Sequence, residues 1–235
     1  MRLNRFFFNF DPSLKLIKIN DKEICHQIKN VLKLKRGEEI ILFNNQKEAF
    51  CRLLEIKKDF LELEVLKIKE NENEPKREVK LYCALLKKEN FEIVVQKATE
   101  IGIKEIFPII TKRTVKLNLN RIRLEKIIKE AAEQSQRGIL PKLAEPIEFQ
   151  NILNFSKENE LNFLFDLKGE TLTNKHFEIL KDKQKIGLFI GPEGGWDEKE
   201  IELAKKNNFI IIKLSSLTFR AETAAIIVSY LFTNL

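Results

Sequence analysis

The 235-residue sequence predicts an α/β protein in two parts, a small N-terminal β-barrel followed by a mostly parallel sheet covered by helices. The N-terminal third consists of short alternating runs separated by polar turns, whereas the remainder alternates strand-like apolar runs with segments of helical periodicity. The charged segment 69–77 contains no apolar side chain apart from Pro75, which indicates a linker. We therefore predict domains at residues 1–72 and 73–235.

The N-terminal part is predicted to contain three strands and one short helix. Runs 38–43, 48–56 and 60–68 alternate apolar and polar residues and are joined by polar turns, as in small barrels. A helix precedes these runs and begins near Asp21. Its inward face is predicted to carry the apolar residues Ile24, Ile28, Val31 and Leu32.

The second part is predicted to alternate strands with helices. Five apolar runs predict strands at residues 79–86, 105–110, 161–165, 185–190 and 209–214. Apolar residues at i, i+3 and i+4 spacing predict helices over 91–101 and 124–135, and further helices are expected from about Glu198 and Glu222. This alternation is typical of a mostly parallel sheet.

The composition excludes several classes of protein. Hydrophobic residues make up 43% and charged residues 33% of the chain, as in soluble globular domains. No apolar run approaches the roughly 20 residues that span a bilayer, and the block Phe6-Phe7-Phe8 is too short for a signal peptide. We therefore expect a cytoplasmic protein that binds no membrane. Three scattered cysteines and two histidines predict neither a disulfide framework nor a metal site.

Positive charge is concentrated in two regions of a chain with a formal net charge of +7. Nine basic residues against three glutamates lie between Lys112 and Lys142. A second cluster contains Lys29, Lys33, Lys35 and Arg36. Two such regions can form one surface for a phosphate backbone, or they can be ordinary solvated faces, and the charge alone leaves both interpretations open.

A glycine-rich turn follows the strand predicted at 185–190. The turn, residues 191–195 (GPEGG), leads into a helix whose start has the capping-box spacing of Asp197 and Glu200. Open α/β sheets bind ligands at the carboxyl ends of parallel strands, where glycines let backbone groups approach closely. The spacing matches neither the dinucleotide fingerprint nor a P-loop, and a tight turn without a ligand explains the glycines equally well.

Loops after the neighbouring predicted strands favour a ligand site. The polar stretch after strand 209–214 carries Arg220 and Glu222 immediately before an apolar helix. A third loop, residues 166–169, follows strand 161–165. Because the carboxyl ends of adjacent parallel strands lie at one edge of a sheet, the three loops are predicted to enclose a crevice.

These residues resemble a known family. Segment 190–196, followed by Arg220-x-Glu222-Thr223-Ala224, is similar to the ribosomal RNA small-subunit methyltransferase E family. Further matches, in the family's order along the chain, are Arg2, residues 5–7, His26, Val31, Leu32, Gly37, segments 96–102 and 130–137, and Pro141. The resemblance therefore spans nearly the whole chain. Segment 215–219 departs from the family pattern, since it lacks a glycine and a second basic residue.

The resemblance implies a fold and an activity. Members of the family combine a barrel similar to the PUA domain with a SPOUT-class α/β methyltransferase domain that contains a trefoil knot. They bind S-adenosyl-L-methionine in the knot, act as homodimers and methylate N3 of a uridine in small-subunit (16S) ribosomal RNA. The expected partners are a second copy of the chain and ribosomal RNA, either free or within the assembled small subunit. Because a sulfonium methyl donor is already activated, no metal is expected.

The resemblance, together with the chemistry of methyl transfer and the distribution of charge, predicts the residues of the site. Cofactor contacts are expected from Leu164, Phe165, Ile190, Gly191, Pro192, Gly194, Gly195, Leu214, Ser216, Leu217, Arg220, Thr223 and Ala224. Arg220 or Arg137 is expected to stabilise charge on the uracil oxygens, and Glu222 is expected to accept the N3 proton. A carboxylate stabilised by the helix dipole is an equally good interpretation of Glu222. RNA contacts are expected from Arg2, Arg5, Lys29, Lys33, Lys35, Arg36 and Arg113.

Two alternatives from other classes remain open. A non-catalytic RNA-binding protein explains the charge and the barrel but not the glycine-rich crevice. A dehydrogenase explains a crevice but requires a different fingerprint. Base pairing occupies N3 of uracil in a duplex, so a methylated uridine has to be unpaired or flipped out. The aromatic block at residues 6–8 is expected to belong mainly to the core of the barrel.

Overall fold

The computed structural model describes residues 3–115 and 118–235. Contacts between residues divide the described chain into two compact units. The first contains residues up to Glu74 together with Ala132–Leu140, and the second contains Pro75–Ala131 and Pro141–Leu235. Segment 132–140 is thus part of the first unit, although a single boundary at residue 72 places it in the second domain. The linear division into two domains stays a prediction.

A five-stranded sheet forms the first unit. Its strands are β1 (Asn4–Phe7), β2 (Leu16–Ile19), β3 (Glu39–Phe43), β4 (Lys47–Ile56) and β5 (Leu61–Glu70). They lie in the order β1-β3-β4-β5-β2, with β1 parallel to β3 and the other pairs antiparallel. The three predicted strands are present as β3, β4 and β5. The sequence did not predict β1 and β2, because each is only four residues long.

The predicted short helix is present as α1 (Lys22–His26). Asp21 caps it by accepting a hydrogen bond of 2.9 Å from the amide of Ile24. A π-helical turn, Gln27–Val31, follows directly. The prediction that Val31 and Leu32 face inward is wrong, since they are 63% and 37% exposed. A π-helical turn contains more residues than an α-helical one, so the apolar pattern moves off the buried face after Ile28.

An ion pair is buried in the first unit. Arg5, expected at the RNA surface, instead donates to Glu48 at 2.6 Å, with the two side chains only 4% and 9% exposed. The same guanidinium donates to the carbonyl oxygen of Arg137 at 3.1 Å and lies 5.1 Å from the ring centre of Phe43. Phe6 is fully buried in the adjoining apolar core, as expected. Arg5 therefore contributes to the interior of this unit.

The predicted linker is structured on both sides of Pro75. The side-chain amide of Asn71 donates to the carbonyl of Gly138 at 2.9 Å. The carboxylate of Glu74 accepts from the amides of Gly138 and Ile139 at 3.0 and 3.1 Å. In the second unit, Arg77 donates to four backbone carbonyls, those of Leu180, Lys183, Phe232 and Leu235. Polar residues here form hydrogen bonds that the composition alone does not reveal.

A parallel sheet forms the second unit. Its strands are β6 (Glu78–Ala84), β7 (Glu105–Ile110), β8 (Lys142–Leu143), β9 (Ile147–Glu148), β10 (Leu161–Thr171), β11 (Lys185–Ile190) and β12 (Ile210–Lys213). They lie in the order β12-β10-β11-β6-β7-β8, and β9 also pairs with β7. Every pairing in this sheet is parallel, as predicted.

Helices cover the parallel sheet. They are α2 (Lys88–Ile101), α3 (Arg121–Ser135), α4 (Phe149–Ser156), α5 (Asn174–Glu178), α6 (Glu198–Lys206) and α7 (Ala221–Asn234). Helix α7 packs against α2, β6 and β11, while α4 packs against α6 and β7. Tyr82 stacks between Phe107 and Phe189 at centroid distances of 4.6 and 4.2 Å. Residues 3–115 and 118–235 contain no helix with the length and apolar character needed to cross a bilayer.

Strand β10 differs from the prediction. It was expected to end at Phe165 and to be followed by a loop, but it continues to Thr171. Phe165 and Glu170 are both paired with Ile212 of β12, so residues 166–169 form a wide bulge in the strand. Gly169 lies against the backbone of Ile211 and Ile212, where an added Cβ would approach to 2.7 Å. The bulge thus projects residues 166 and 167 from the sheet while pairing resumes beyond it.

The buried ion pair gives a stability prediction. Replacing Glu48 by alanine leaves the guanidinium of Arg5 buried without its carboxylate, so we expect the free energy of unfolding to fall by about 3–5 kcal/mol. The matched control is Glu39→Ala, which breaks a pair between the half-exposed side chains of Glu39 and Arg52 and should cost less than about 1 kcal/mol. Urea denaturation measures both values, and equal losses would contradict the prediction.

Candidate functional site

A cavity opens at the carboxyl ends of the parallel strands in the second unit. Its volume is about 760 Å³. The walls come from the bulge of β10, from the turn after β11 and from the segment between β12 and α7. Because β10 lies between β11 and β12 in the sheet, these three segments end at the same edge. This is the predicted crevice.

Trp196 fixes the glycine-rich turn. Its indole N–H donates to the carbonyl of Phe165 at 3.0 Å, which ties the turn after β11 to the end of the neighbouring strand. Gly191 makes room for the ring, since an added Cβ would lie 2.9 Å from the indole Nε1. Gly195 has a φ of +71°, and its amide donates a hydrogen bond of 2.8 Å to the carbonyl of Pro192. These contacts explain why the segment requires glycine at two positions.

The helix after the turn is held by a capping box. Asp197 accepts from the amide of Lys199, and the amide of Asp197 donates to Glu200 at 2.9 Å. The ammonium of Lys112 donates to Asp197 at 2.9 Å, and this hydrogen bond lowers the pKa of the Asp197 carboxyl. Arg113, predicted to bind RNA, donates to the carbonyl of Gly194 at 2.8 Å. The segment after β7 therefore supports the turn.

Most of the residues expected to bind the cofactor line the cavity. They are Phe165, Ile190, Gly191, Pro192, Gly194, Gly195, Leu214, Leu217, Arg220 and Ala224. Leu164, Ser216 and Thr223 do not line it. Alternate residues of a strand face opposite sides, so Phe165 reaches Phe232 of α7, whereas Leu164 is buried in the core that contains Phe149 of α4.

The residues expected to act in catalysis are divided between the two units. Arg220 and Glu222 line the cavity, and Arg220 is the residue that precedes α7. The Oε2 atom of Glu222 is buried and has no hydrogen-bond partner in the described chain. Arg137 lies in the first unit, where it forms an ion pair of 2.7 Å with Glu74 and its side chain is 4% exposed. The structure therefore places Arg137 in a structural ion pair of that unit.

The residues expected to bind RNA also differ in exposure. Lys29, Lys33, Lys35 and Arg36 are exposed in the first unit, around the π-helical turn. Arg5 is buried, and Arg113 contacts the glycine-rich turn. Arg2 lies outside the described residues. The cluster at 29–36 is therefore exposed, and Arg113 is exposed as well although its guanidinium is engaged by Gly194.

Polar residues at the start of α2 also line the cavity and were not predicted. They are Lys87 and Asn90. The amide of Lys87 donates to Oε1 of Glu193 at 3.2 Å, which joins the start of α2 to the glycine-rich turn. Strand β6 lies beside β11 in the sheet, so the segment after β6 reaches the same edge. Knowledge of the strand order would have identified these residues, but periodicity does not supply it.

Metal ligands are not clustered in the described chain. Across residues 3–115 and 118–235, no three histidine, cysteine or acidic side chains are grouped so that they could hold a metal ion. The cysteines Cys25, Cys51 and Cys83 are free and buried. Burial raises the pKa of the Cys51 thiol to about 12.

Comparisons with known sequences give two family matches. A family described as RNA methyltransferase domain matches residues 72–232, and one described as RNA methyltransferase PUA domain matches residues 19–66. The ribosomal RNA small subunit methyltransferase E of Mesomycoplasma hyopneumoniae is 39% identical over 165 residues, covering 68% of this chain and 70% of that protein. The protein of that name from Rickettsia conorii is 32% identical over 234 residues, which cover 96% of this chain and 93% of that protein.

Solved structures share the fold over almost the whole chain. A methyltransferase from Legionella pneumophila in complex with the bound cofactor SAM superposes with a TM-score of 0.87 at 27% identity, covering 99% of this chain and 97% of that one. The ribosomal RNA small subunit methyltransferase E of Neisseria gonorrhoeae bound to S-adenosyl methionine has a TM-score of 0.87 at 26% identity, covering 97% and 95%.

The contact between Gly191 and Trp196 gives a second stability prediction. In Gly191→Ala the new Cβ would lie 2.9 Å from the indole Nε1, so the ring has to move and its hydrogen bond to Phe165 weakens. We expect a loss of about 1–3 kcal/mol in the free energy of unfolding and a shifted emission spectrum of Trp196, the single tryptophan.

Gly194→Ala is the matched control for this variant. A Cβ at Gly194 has its nearest neighbours in the Arg113 side chain at 3.6 Å, an ordinary contact, so the change should stay within about 0.5 kcal/mol. Denaturation followed by tryptophan fluorescence measures both variants. Unchanged stability and emission in Gly191→Ala would show that the turn does not depend on this packing.

Proposed function

The chain belongs to the ribosomal RNA small subunit methyltransferase E family, and we propose that it transfers a methyl group from S-adenosylmethionine to N3 of a uridine in small-subunit (16S) ribosomal RNA. One observation carries this proposal. The cavity of the second unit is formed by the glycine-rich turn together with Arg220 and Glu222, on a fold that binds the same cofactor in similar solved structures. The domain that contains the cavity is the one matched by the methyltransferase family.

The cavity suits a polar nucleoside ligand. Gly191, Gly194 and Gly195 line one side without side chains, so a ligand can approach the backbone there, while Phe165 and Leu217 add apolar surface. When bound there, S-adenosylmethionine supplies an activated methyl group. We propose that the segments around β10, β11 and β12 form the trefoil knot of the family and that the cofactor lies within it.

Glu222 and Arg220 are suited to the proton and charge changes of the reaction. Uridine N3 carries a proton that has to leave as the N3–C bond forms and the S–C bond of the donor breaks. The unpartnered carboxylate oxygen of Glu222 is available to take this proton. Arg220 at the cavity stabilises the negative charge that spreads onto the uracil oxygens. The unsatisfied oxygen favours this role for Glu222 over a purely structural one, since a buried acceptor without a partner is costly.

The exposed basic cluster at residues 29–36 is proposed to hold RNA phosphates. Its four cations are solvent-accessible, and it lies within the segment matched by the PUA family. A uridine has to be unpaired or flipped out before its N3 can enter the cavity. A non-catalytic RNA-binding protein, the alternative, would use the same cluster but would not require an unpartnered carboxylate in a cavity.

Helix α7 supports the proposal of a homodimer. Its apolar residues are spread around the helix and not confined to one face, and such a helix is normally covered on more than one side. In the single chain, however, Tyr230 is 56% exposed, and Ile226, Ile227 and Leu231 are only partly covered. A second copy of the chain would cover this surface.

Variants of the cavity test the activity. With labelled cofactor and small ribosomal subunits or 16S RNA, we expect the native protein to form 3-methyluridine, detected by nuclease digestion and mass spectrometry. Glu222→Gln and Arg220→Ala should lower the rate by about 10²- to 10³-fold. The control Glu202→Gln removes an exposed acid of α6 that does not line the cavity and should leave the rate unchanged. In calorimetry, binding of neither S-adenosylmethionine nor NAD would favour the RNA-binding alternative, and binding of NAD instead of S-adenosylmethionine would favour a dehydrogenase.

A charge on α7 tests the homodimer. The native protein should have about twice the 27.6 kDa mass of one chain in sedimentation equilibrium. Tyr230→Glu places a charge on the proposed interface and should shift the protein to the monomer mass. Ile179→Glu alters an apolar residue that is 45% exposed outside α7, and it should leave the dimer intact. A native protein that sediments as a monomer would refute the dimer.

A further inference from the structure

Lys87 and Asn90 form a polar part of the cavity that the proposed roles of Arg220 and Glu222 do not use. Both residues line the cavity from the start of α2. Neither side chain has an ion pair or hydrogen bond to another group in the described chain. Lys87 is exposed and Asn90 half-exposed, so both can turn to a ligand in the cavity that holds the buried, unpartnered Oε2 of Glu222.

The backbone holds this pair in place. The amide of Lys87 donates to Glu193 in the glycine-rich turn at 3.2 Å, and its carbonyl accepts from the amide of Phe91 at 3.0 Å. Leu86 and Phe91, on either side of the pair, are buried. The first turn of α2 is thus anchored to the core and to the turn, so Lys87 and Asn90 are presented to the cavity from fixed backbone positions.

The edge of uracil that carries N3 has a defined pattern of hydrogen-bonding groups. It presents an acceptor, the N3–H donor and a second acceptor. A complementary site needs an acceptor for N3–H with a donor on each side. An ionised carboxylate only accepts hydrogen bonds, and the side chains of arginine and lysine only donate them. The amide nitrogen of asparagine can also donate. Glu222, Arg220 and the pair Lys87 and Asn90 supply this set within one cavity.

We propose that Lys87 and Asn90 bind the uracil oxygen not contacted by Arg220. This inference rests on the proposed uridine methyltransferase function. The cavity volume of about 760 Å³ lies in the upper part of the roughly 300–1,000 Å³ range of ligand pockets, which leaves room for a base beside a cofactor.

The test separates binding of the base from binding of the cofactor. Lys87→Met and Asn90→Leu should each lower kcat/KM for RNA methylation by roughly 10- to 100-fold, as expected for a lost hydrogen bond to a group that gains charge. Their calorimetric Kd for S-adenosylmethionine should stay within about twofold of the native value. The matched control Lys88→Met removes a neighbouring exposed lysine that does not line the cavity and should change neither quantity.

The pH profile supplies a readout that a purely structural role would not move. In Lys87→Met, the methylation rate should approach that of the native protein as the pH rises, because N3 then loses its proton without help from the protein. Methylation at the native rate in both variants would overturn the inference. So would an equal loss of cofactor affinity and rate, because the residues would then belong to the cofactor site. Absence of 3-methyluridine with the native protein would instead refute the proposed function itself.

Discussion

The hydrogen bond from the indole of Trp196 to the carbonyl of Phe165 is the contact on which the cavity depends. It joins the end of β10 to the turn after β11, and Gly191 is the residue that makes room for the ring. A buried donor left without this partner would cost about 1–3 kcal/mol, so the turn has one favoured conformation. The start of α6 and the contact between Arg113 and Gly194 are built on that conformation. The shape of the cavity thus depends on the packing of the Trp196 side chain.

Charge serves two different purposes in this chain. Arg5 and Arg137 are buried in ion pairs with Glu48 and Glu74, where each guanidinium stabilises the first unit through a carboxylate. The lysines of the cluster at 29–36 are exposed and remain available to a polyanion. An arginine has the planar geometry that suits a buried pair, whereas a lysine is strongly hydrated and stays at the surface. The total of 42 lysines and arginines therefore overstates the number of cations that can bind RNA.

The parts of the fold that periodicity encodes could be predicted from the sequence. Strands β3 to β5 and the parallel strands of the second unit follow from apolar runs, and Asp197 caps α6 as its spacing indicates. Periodicity failed at Val31 and Leu32, because a π-helical turn changes the phase of the pattern. It also missed Lys87 and Asn90, since their place in the cavity depends on β6 lying beside β11. Which strands lie side by side in a parallel sheet depends on contacts between residues far apart in the sequence, and local periodicity does not reveal them.

The course of the chain through the first unit has a consequence for its synthesis. Glu74 closes that unit by accepting from the amides of Gly138 and Ile139 and by pairing with Arg137. These partners follow Glu74 by more than sixty residues, and much of the second unit's chain, Pro75–Ala131, is made between them. A chain growing from its N-terminus therefore cannot complete the first unit when residue 74 leaves the ribosome. The unit becomes complete only after about 60% of the polypeptide has been translated, so its folding is coupled in time to that of the sheet that follows.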